Sequence, residues 1–346
     1  MAAVTTSTLS GQYQTYFSKE LLKYAVQALV LGQFGQKAPL PTKAGTKTIS
    51  WFRFNAPQSG YDTDGVTLAS ASGTGIASLT EGTPMSTSKY RTLSLTKVDG
   101  TLTQYGQVIQ LTDVLTSSEL FNALEQAVRL NGEDAAYFCD ATIRNTLAAG
   151  TTKRYSGGAT SFSGLYGLSK SAGSLSSTDA LDAVTNLKIN RAPLINGSYA
   201  AAVPVQCARD LMRDATWLAV KEYSDKQDLY NGELGKMYGC RFVSHTNPWV
   251  EDEAEGTYDA VLSGGSNTNS LVYSTLFFGD QAFGIPDLGG SAASGSPMAP
   301  QVIITDKADK SDPLNQTINV GFKTFWGTKI LNDNYFVVHR SLSQYA

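Results

Sequence analysis

A helical pattern of apolar and polar positions extends from Leu111 to Gly150, the longest stretch of the chain that follows one regular period. At helical spacing, small and apolar side chains fall on one side and mostly charged side chains on the other. The first side carries Leu120, Leu124, Ala127, Asn131, Ala135, Phe138 and Thr142, and the second carries Asn122, Glu125, Arg129, Glu133, Asp140 and Arg144. We predict one helix over 116–149, laid across a sheet, with its charged face open to solvent or to other chains rather than buried at the centre of a globule.

Local signals support the limits of this helix. Thr116 and Glu119 have the spacing of a capping box, in which a hydroxyl and a carboxylate satisfy free N–H groups at the helix start. Gly150 is a residue type that commonly ends helices. Opposite charges four residues apart, which stabilise an exposed helix face, occur at Glu125/Arg129, Arg129/Glu133 and Asp140/Arg144.

Strand-like alternation precedes the helix in the segments 47–54, 90–98 and 103–111. The first two are joined by a segment rich in Gly, Ser, Thr and Asp that is too long for an ordinary hairpin turn. A two-stranded ribbon with so few apolar residues is marginal in water. We therefore expect this ribbon to be either mobile alone or fixed by lying on another molecule.

The chain before the ribbon is polar in residues 1–17 and amphipathic in residues 18–31. The second segment has the pattern of a short helix, with Leu21, Leu22 and Leu29 on its apolar face. Packing on its own domain and docking on a neighbouring chain are equally compatible with this pattern.

The chain after Gly150 divides into three parts. The segment 151–176 is rich in glycine and serine, which predicts irregular structure. Strand and helix patterns then alternate in a compact α/β lobe over 177–286, with helices at 177–190 and 206–220 and strands at 198–203, 240–245 and 271–278. Two final strands, 318–324 and 329–339, flank a turn at Trp326-Gly327. We expect both to return to the sheet that supports the long helix.

The composition describes a folded and nearly neutral protein of 346 residues, 42% hydrophobic and 16% charged, with a net charge of −3. This charge argues against an open nucleic-acid binder, which needs a dense basic face, but not against a protein that encloses nucleic acid. The cysteines Cys139, Cys207 and Cys240 are far apart and odd in number, which favours reduced thiols made in a cytoplasm over disulfides or a zinc site. The N-terminus lacks the basic start and the apolar run of a signal peptide.

Candidate catalytic residues are few. The two histidines, His245 and His339, each end an apolar strand and are predicted to be structural. The G-x-S-x-G and phosphate-loop motifs do not occur in the sequence. The acidic run that starts at Glu251 lacks the ligand spacing of a calcium loop, so a solvated loop or a charged subunit contact is expected there. We therefore predict a protein that is not an enzyme and that has no cofactor and no metal.

The order of these parts resembles the major capsid proteins of tailed bacteriophages, whose fold is shared by herpesvirus capsid floors and by encapsulins. Four phrases make the resemblance sharper, and they look most like the coat proteins of enquatro-like (schitovirus-type) podophages. The phrases are LTEGTP at 79–84, LTQYGQVIQLTD at 102–113, NGELGKMYGCRFVSHTNP at 231–248 and NQTINVGFKTFWGTKILND at 315–333.

The resemblance implies an α+β fold with an arm, a ribbon and two domains. The parts are an N-arm at 1–46, an extended loop or β-ribbon at 47–102, a peripheral domain at 103–176 and 312–346 with the spine helix at 116–149, and an axial domain at 177–311. The implied function is structural: hexamers and pentamers assemble in the bacterial host cytoplasm into an icosahedral virion head that encloses double-stranded DNA without sequence-specific binding. Covalent cross-linking is not predicted, because nothing marks Lys89 or Lys97 as reactive.

The resemblance also implies partners and contact surfaces. The short segment before the ribbon favours a separate scaffolding protein, and a portal and decoration proteins are further expected partners, with no membrane. The candidate contacts between subunits lie on the N-terminal helix, the ribbon, the charged helix face and the acidic loop. They are Leu21, Leu22, Leu29, Trp51, Phe52, Asp62, Val66, Leu68, Ile76, Leu79, Glu81, Arg129, Glu133, Trp249, Glu251, Asp252 and Glu253.

Two other functions stay open on the sequence alone. An encapsulin-type compartment shell has the same fold and holds cargo enzymes instead of a genome. An extracellular or tail-associated binding module is suggested by the Gly, Ser, Thr and aromatic content.

Overall fold

The computed structural model describes ten stretches of the chain. They are residues 30–39, 47–54, 81–84, 95–118, 123–217, 233–251, 271–287, 300–305, 314 and 316–345. The helices whose limits lie within these stretches are α1 (Asp113–Ser118), α2 (Ala123–Ala148), α3 (Phe162–Tyr166), α4 (Ser177–Ile189) and α5 (Val205–Met212), with 3-10 turns at Leu31–Gln33 and Asp333–Tyr335. The strands are β1 (Gln36–Ala38), β2 (Thr48–Phe54), β3 (Leu95–Thr101), β4 (Thr103–Thr112), β5 (Lys153–Tyr155), β6 (Tyr199–Pro204), β7 (Glu233–Met237), β8 (Cys240–His245), β9 (Val250–Glu251), β10 (Val272–Phe278), β11 (Phe283–Pro286), β12 (Gln301–Thr305), β13 (Thr317–Trp326), β14 (Lys329–Ile330) and β15 (Phe336–Ser341).

A mixed seven-stranded sheet is the largest element of the fold. Its main order is β5-β15-β10-β6-β8-β7, and β9 pairs with β10. Every residue of β10 is buried, as is typical of a central strand covered on both faces. Its side chains alternate between two cores: Tyr273 and Phe277 pack with helices α4 and α5, whereas Leu276 and Phe278 pack with helix α2. The sheet is therefore the middle layer of three.

The long helix α2 packs on two different sheets. Its N-terminal half, with Ala127, Val128 and Ala135, covers the three-stranded sheet β12-β13-β4. Its C-terminal half buries Ile143 and Leu147 completely against the seven-stranded sheet. The prediction of a long helix laid across a sheet is confirmed from residue 123 onward. The prediction that the charged face is open is wrong for the C-terminal half of the helix, because Asp140 and Arg144 are buried there.

The start of the predicted helix differs from the capping-box prediction. Helical structure already begins at Asp113, so Thr116 lies inside α1 and cannot be a cap. Thr112 takes that role, since its hydroxyl accepts a hydrogen bond from the Leu115 N–H at 3.4 Å. Gly150 follows the helix end as predicted, and its N–H donates to the Leu147 carbonyl at 2.9 Å. A Cβ at Gly150 would overlap the Phe336 ring, so close packing also requires glycine there.

The two C-terminal strands have different partners. Strand β13 pairs with β4 over ten residues, from Thr317 opposite Thr112 to Trp326 opposite Thr103. The predicted return to the sheet beneath the long helix is therefore confirmed for β13. Strand β15 pairs with β10 and β5 in the seven-stranded sheet. That sheet also supports the long helix, since Phe336 and Val338 pack with Ile143 and Leu147, so the prediction is confirmed for β15 as well, although the strand predicted over 329–339 is divided into β14, a 3-10 turn and β15. The apolar pattern of β15 fits the centre of that sheet, where all six of its residues are buried.

Most predicted elements of the α/β lobe agree with the structure. Helix α4 and strands β6, β8 and β10 occur where their patterns indicate, and α4 begins with a capping box formed by Ser176 and Asp179. The helix predicted over 206–220 is interrupted, because α5 ends at Met212 and helical structure resumes at 215–217, while 218–220 lie outside the described residues. The segment 151–176 is not wholly irregular, since it contains β5 and α3.

The three thiols provide a test of this packing. Cys139, Cys207 and Cys240 are all buried, and burial raises the pKa of the Cys139 and Cys207 thiols to about 12 and that of Cys240 further. Because only the thiolate reacts readily, we expect no rapid modification of the folded protein by a thiol reagent at pH 8. All three should react after denaturation. Rapid reaction of the native protein, measured by absorbance, would contradict this packing.

Candidate assembly site

The base of the predicted ribbon is a two-stranded antiparallel sheet formed by β2 and β3, which we call the ribbon root. The pairing runs from Thr48 opposite Thr101 to Phe54 opposite Leu95. The described part of β3 starts later than the predicted strand at 90–98 and continues to Thr101. Side chains alternate between an inner face on the body of the subunit and an outer face, as the strand period requires.

The inner face of the ribbon root is anchored by Trp51. Its side chain is 6% exposed and packs in a cluster with Ala38, Ile49, Leu102 and Leu331. The indole fits against two glycines: a Cβ at Gly100 would lie 2.7 Å from its ring, and a Cβ at Gly284 would overlap it. Trp51 is a predicted subunit contact, but the structure uses this side chain inside its own chain.

Two hydrogen bonds to backbone carbonyl groups also hold the ribbon root in place. The Leu102 N–H donates to the Lys47 carbonyl at 2.7 Å and so closes the base of the ribbon. Arg53 donates from Nη1 to the Leu331 carbonyl at 3.0 Å. The root is therefore held by both apolar and polar contacts.

The outer face of the ribbon root exposes two large apolar side chains. Phe52 is 61% exposed and Leu95 is 51% exposed. Next to them, Ser50 donates to Asp99 at 2.6 Å and Lys97 lies 3.0 Å from Asp99. The hydrogen bonds from Ser50 and then Lys97 lower the pKa of Asp99, which keeps this face charged. Phe52, a predicted subunit contact, is thus exposed on this outer face.

The exposed face of α2 combines charged and apolar side chains. Arg129 and Glu133 form the predicted pair at 3.4 Å, and both are partly exposed. Leu130 and Tyr137, each 49% exposed, are seven residues apart and therefore lie on the same face of the helix. An exposed ion pair of this kind contributes little to folding stability, so these side chains are free to contact another chain.

The acidic segment after Trp249 starts inside the subunit. Glu251 is 0% exposed, accepts from Trp249 Nε1 at 2.7 Å and pairs with the buried Arg340 at 2.8 Å. The expectation that Glu251 is a solvated or subunit-contact residue is wrong, because its carboxylate neutralises a buried guanidinium. Asp252 and Glu253 lie outside the described residues.

Of the remaining candidate contacts between subunits, only Glu81 lies within the described residues. Glu81 is described and exposed. The others lie outside the described residues, as does nearly all of the helix predicted over 18–31. They are Leu21, Leu22, Leu29, Asp62, Val66, Leu68, Ile76 and Leu79.

A Ser-His-Asp cluster that the sequence did not reveal lies between β5, β15 and α4. Ser156 Oγ lies 2.9 Å from His339 Nε2 and donates to Asp179 at 3.1 Å. A hydrolase triad places the serine and the carboxylate on opposite ring nitrogens of the histidine. Here Asp179 lies 4.0 Å from the same Nε2, and Ser156 is 0% exposed. The hydroxyl's single proton goes to Asp179, so Nε2 must donate to Oγ, and the cluster is structural.

The same cluster borders an open polar cavity of about 440 Å³. Its wall carries opposite charges, with Lys153 and Arg154 facing the carboxylates of Asp179 and Asp182. This mixture does not define one class of ligand. In the part of the chain that the structure describes, no group of three His, Cys, Asp or Glu side chains is arranged to hold a metal. Among the described helices, none is both long and apolar enough to cross a membrane.

Comparison with known proteins identifies the fold. No protein-family model matches the sequence, and no curated protein matches it. The capsid of Ralstonia phage GP4 has a TM-score of 0.63 at 13% identity, over 90% of this chain and 87% of that chain. The acidic stable capsid structure of Helicobacter pylori bacteriophage KHP30 has a TM-score of 0.60 at 11% identity, over 90% of each chain. The capsid asymmetric unit of cyanophage Pam1 has a TM-score of 0.57 at 13% identity, over 87% and 86%. The chain therefore has the α+β fold of phage capsid proteins.

The close packing of Trp51 against Gly284 predicts the effect of adding a methyl group at this glycine. Gly284→Ala should lower the free energy of unfolding by about 1–3 kcal/mol, because the new methyl group must displace the indole. Gly167→Ala is the matched control, since its Cβ would meet the Ser163 carbonyl oxygen at an ordinary 3.5 Å. Chemical denaturation measures both. Equal stability of the two variants would contradict the anchor.

The buried His339 predicts a pH dependence. Burial lowers the pKa of His339 from its ordinary 6.5 in spite of the nearby Asp179. The unfolded chain therefore binds a proton that the folded chain does not, so stability falls as the pH drops below about 6.5, by at most about 1.4 kcal/mol per pH unit. His339→Gln should lose less stability between pH 7 and pH 5 than the wild type. Urea unfolding at several pH values measures this, and parallel curves would show that His339 does not contribute.

Proposed function

We propose that this chain is the major capsid protein of a tailed bacteriophage, a structural subunit and not an enzyme. The observation that carries the proposal is the agreement of the fold, over about nine-tenths of the chain, with capsid structures of phages. The phrases at 79–84, 102–113, 231–248 and 315–333 favour the enquatro-like podophage coat proteins within this class.

The proposed assembly consists of hexamers and pentamers that form an icosahedral head around double-stranded DNA. A net charge of −3 suits a wall that confines DNA without holding its phosphates. A separate scaffolding protein, a portal and decoration proteins are the proposed partners. Assembly takes place in the bacterial host cytoplasm, and the final location is the virion head.

The proposed parts of the subunit follow the sequence predictions. They are the N-arm (1–46), the ribbon (47–102), the peripheral domain (103–176 and 312–346) and the axial domain (177–311). Strand β15 belongs to the proposed peripheral domain by sequence but pairs with β10 of the axial domain. We therefore expect the two domains to behave as one unit during assembly.

The ribbon is the proposed link between neighbouring subunits. Its root is fixed to its own subunit by Trp51, whereas Phe52 and Leu95 on the outer face are exposed. Covering a phenylalanine side chain on a neighbour contributes about 2 kcal/mol per contact. Repetition of this contact around a shell would make assembly favourable even though each contact is weak.

The exposed face of α2 is a second proposed contact surface. Arg129 and Glu133 offer a charged pair, and Leu130 and Tyr137 offer apolar area beside it. Interfaces between subunits commonly combine an aromatic side chain with a polar surround. The N-terminal helix and the segment from Asp252 complete the proposed set of contacts.

Deletion of residues 62–78 tests the proposal. The variant should remain a folded monomer, because the ribbon root and the cores lie outside the deleted segment. It should not form closed shells, because it lacks the proposed contact with the neighbour. Circular dichroism measures folding, and negative-stain microscopy of protein expressed with its neighbouring genes measures assembly.

Two controls are needed to interpret the result of the deletion. Wild-type protein expressed in the same way should give shells, and Phe52→Ser should give fewer shells without a loss of folding. Normal shells from the deletion variant would contradict the role of the ribbon. A wild-type protein that stays monomeric under all conditions would contradict the capsid function itself.

A further inference from the structure

Asp140 is a buried carboxylate that the helical pattern placed on the solvent side of α2. Its residue is 3% exposed. One oxygen accepts from the Val30 N–H and the other from the Leu31 N–H, each at 3.1 Å. The prediction of an exposed Asp140 is wrong, because the beginning of the described chain covers this part of the helix.

The two N–H groups belong to the start of the 3-10 turn Leu31–Gln33. The first N–H groups of any helical turn lack partners within the turn and are usually satisfied by a local Ser, Thr, Asp or Asn side chain. Val30 occupies the cap position and makes no side-chain cap hydrogen bond. Asp140, 110 positions away in sequence from Val30, supplies the missing acceptor. We refer to it as the distant cap.

The distant cap lies where three parts of the chain meet, namely the N-terminal 3-10 turn, helix α2 and the end of strand β8. His245, at the end of β8, is 4% exposed and places Nε2 3.4 Å from an Asp140 oxygen. One turn further along α2, the buried Arg144 donates to the side chain of Asn247. The segment 245–249 therefore lies along the same side of α2 as the distant cap. Leu31 itself is 0% exposed and packs in the core that α2 shares with the seven-stranded sheet.

We propose that Asp140 is a positioning residue that fixes the direction of the backbone at Val30 and Leu31, where residues 1–29 join the described part of the chain. The two hydrogen bonds orient the backbone at Val30 and Leu31, and the burial of Leu31 prevents the turn from sliding along the helix. In a shell, this direction decides which neighbour the N-terminal segment can reach. This second step rests on the proposed capsid function, whereas the orientation of the turn does not.

A second buried aspartate provides a matched control at the other end of the chain. Asp210 is 6% exposed and accepts from the Ser343 hydroxyl and from the Gln344 N–H, each at 2.9 Å. Both aspartates are thus buried acceptors that hold a terminal segment. Only Asp140 holds the N-terminal one.

The experiment compares Asp140→Asn with Asp210→Asn. Asparagine has nearly the same volume but only one acceptor oxygen, so its NH2 group must face one of the two N–H groups. We expect amide hydrogen exchange in a peptide covering residues 30–36 to become about tenfold faster in Asp140→Asn and to be unchanged in Asp210→Asn. Exchange near residue 344 should change little in either variant, because one oxygen of Asp210 accepts both of its bonds and the single Asn oxygen can do the same. Mass spectrometry of the unassembled subunit measures both.

The assembly arm uses the same two variants in co-expression and microscopy. Asp140→Asn should give fewer closed shells or shells of altered size, whereas Asp210→Asn should give wild-type shells. Unchanged exchange at 30–36 would overturn the distant cap. Faster exchange with normal shells would overturn its role in assembly and leave the cap in place. If Asp140→Asn does not fold, Asp140→Glu, which keeps the charge but moves the oxygens, must show the faster exchange at 30–36 for the proposal to stand.

Discussion

Helix α2 buries its N-terminal half on the three-stranded sheet and its C-terminal half on the seven-stranded sheet, so that one helix packs in two cores, to both of which strand β13 also contributes. The side chains on the packed face of α2 therefore change in size along the helix. Small residues such as Ala127 and Ala135 allow close approach to β13, where Asn131 also donates to the Val320 carbonyl at 3.1 Å. Ile143 and Leu147 fill the larger space beneath β6 and β10. The positions of the ribbon root and the N-terminal turn both depend on this helix and on the sheets that it holds together.

The two faces of the ribbon root differ: the inner face packs on the body of its own chain, and the outer face is exposed. Successive residues of β2 point to opposite faces, so the buried Trp51 and the exposed Phe52 have opposite roles although they are neighbours in sequence. The tryptophan fixes the root only because Gly100 and Gly284 leave room for its ring. A subunit that holds the base of a ribbon rigidly loses less freedom when the rest of the ribbon binds, which favours association.

Sequence patterns were sufficient for the regular elements and insufficient for buried polar groups. The patterns of α2, α4, β8 and β10 were readable because each of these elements buries one or both faces. Asp140, Arg144 and Glu251 were predicted to be exposed because charged residues usually are. Their partners are the backbone at Val30 and Leu31, the Asn247 side chain and Arg340, all distant in sequence. The apolar pattern of β15 does not by itself indicate which of the two sheets beneath the long helix it joins. The order of the predicted elements led to the correct fold, which the compared phage capsid structures share at only 11% to 13% identity.

The chain from Leu95 to Thr112 is nearly one continuous strand that begins in the ribbon root as β3 and ends in the three-stranded sheet as β4, interrupted only at the buried Leu102. A pull on the ribbon along its length is therefore transmitted directly to the β4–β13 ladder. Hydrogen bonds in an antiparallel ladder are perpendicular to the strands. Such a force loads the ten residue pairs of that ladder together, in shear, instead of opening them one after another. The geometry that orients the ribbon is thus also one that resists mechanical tension.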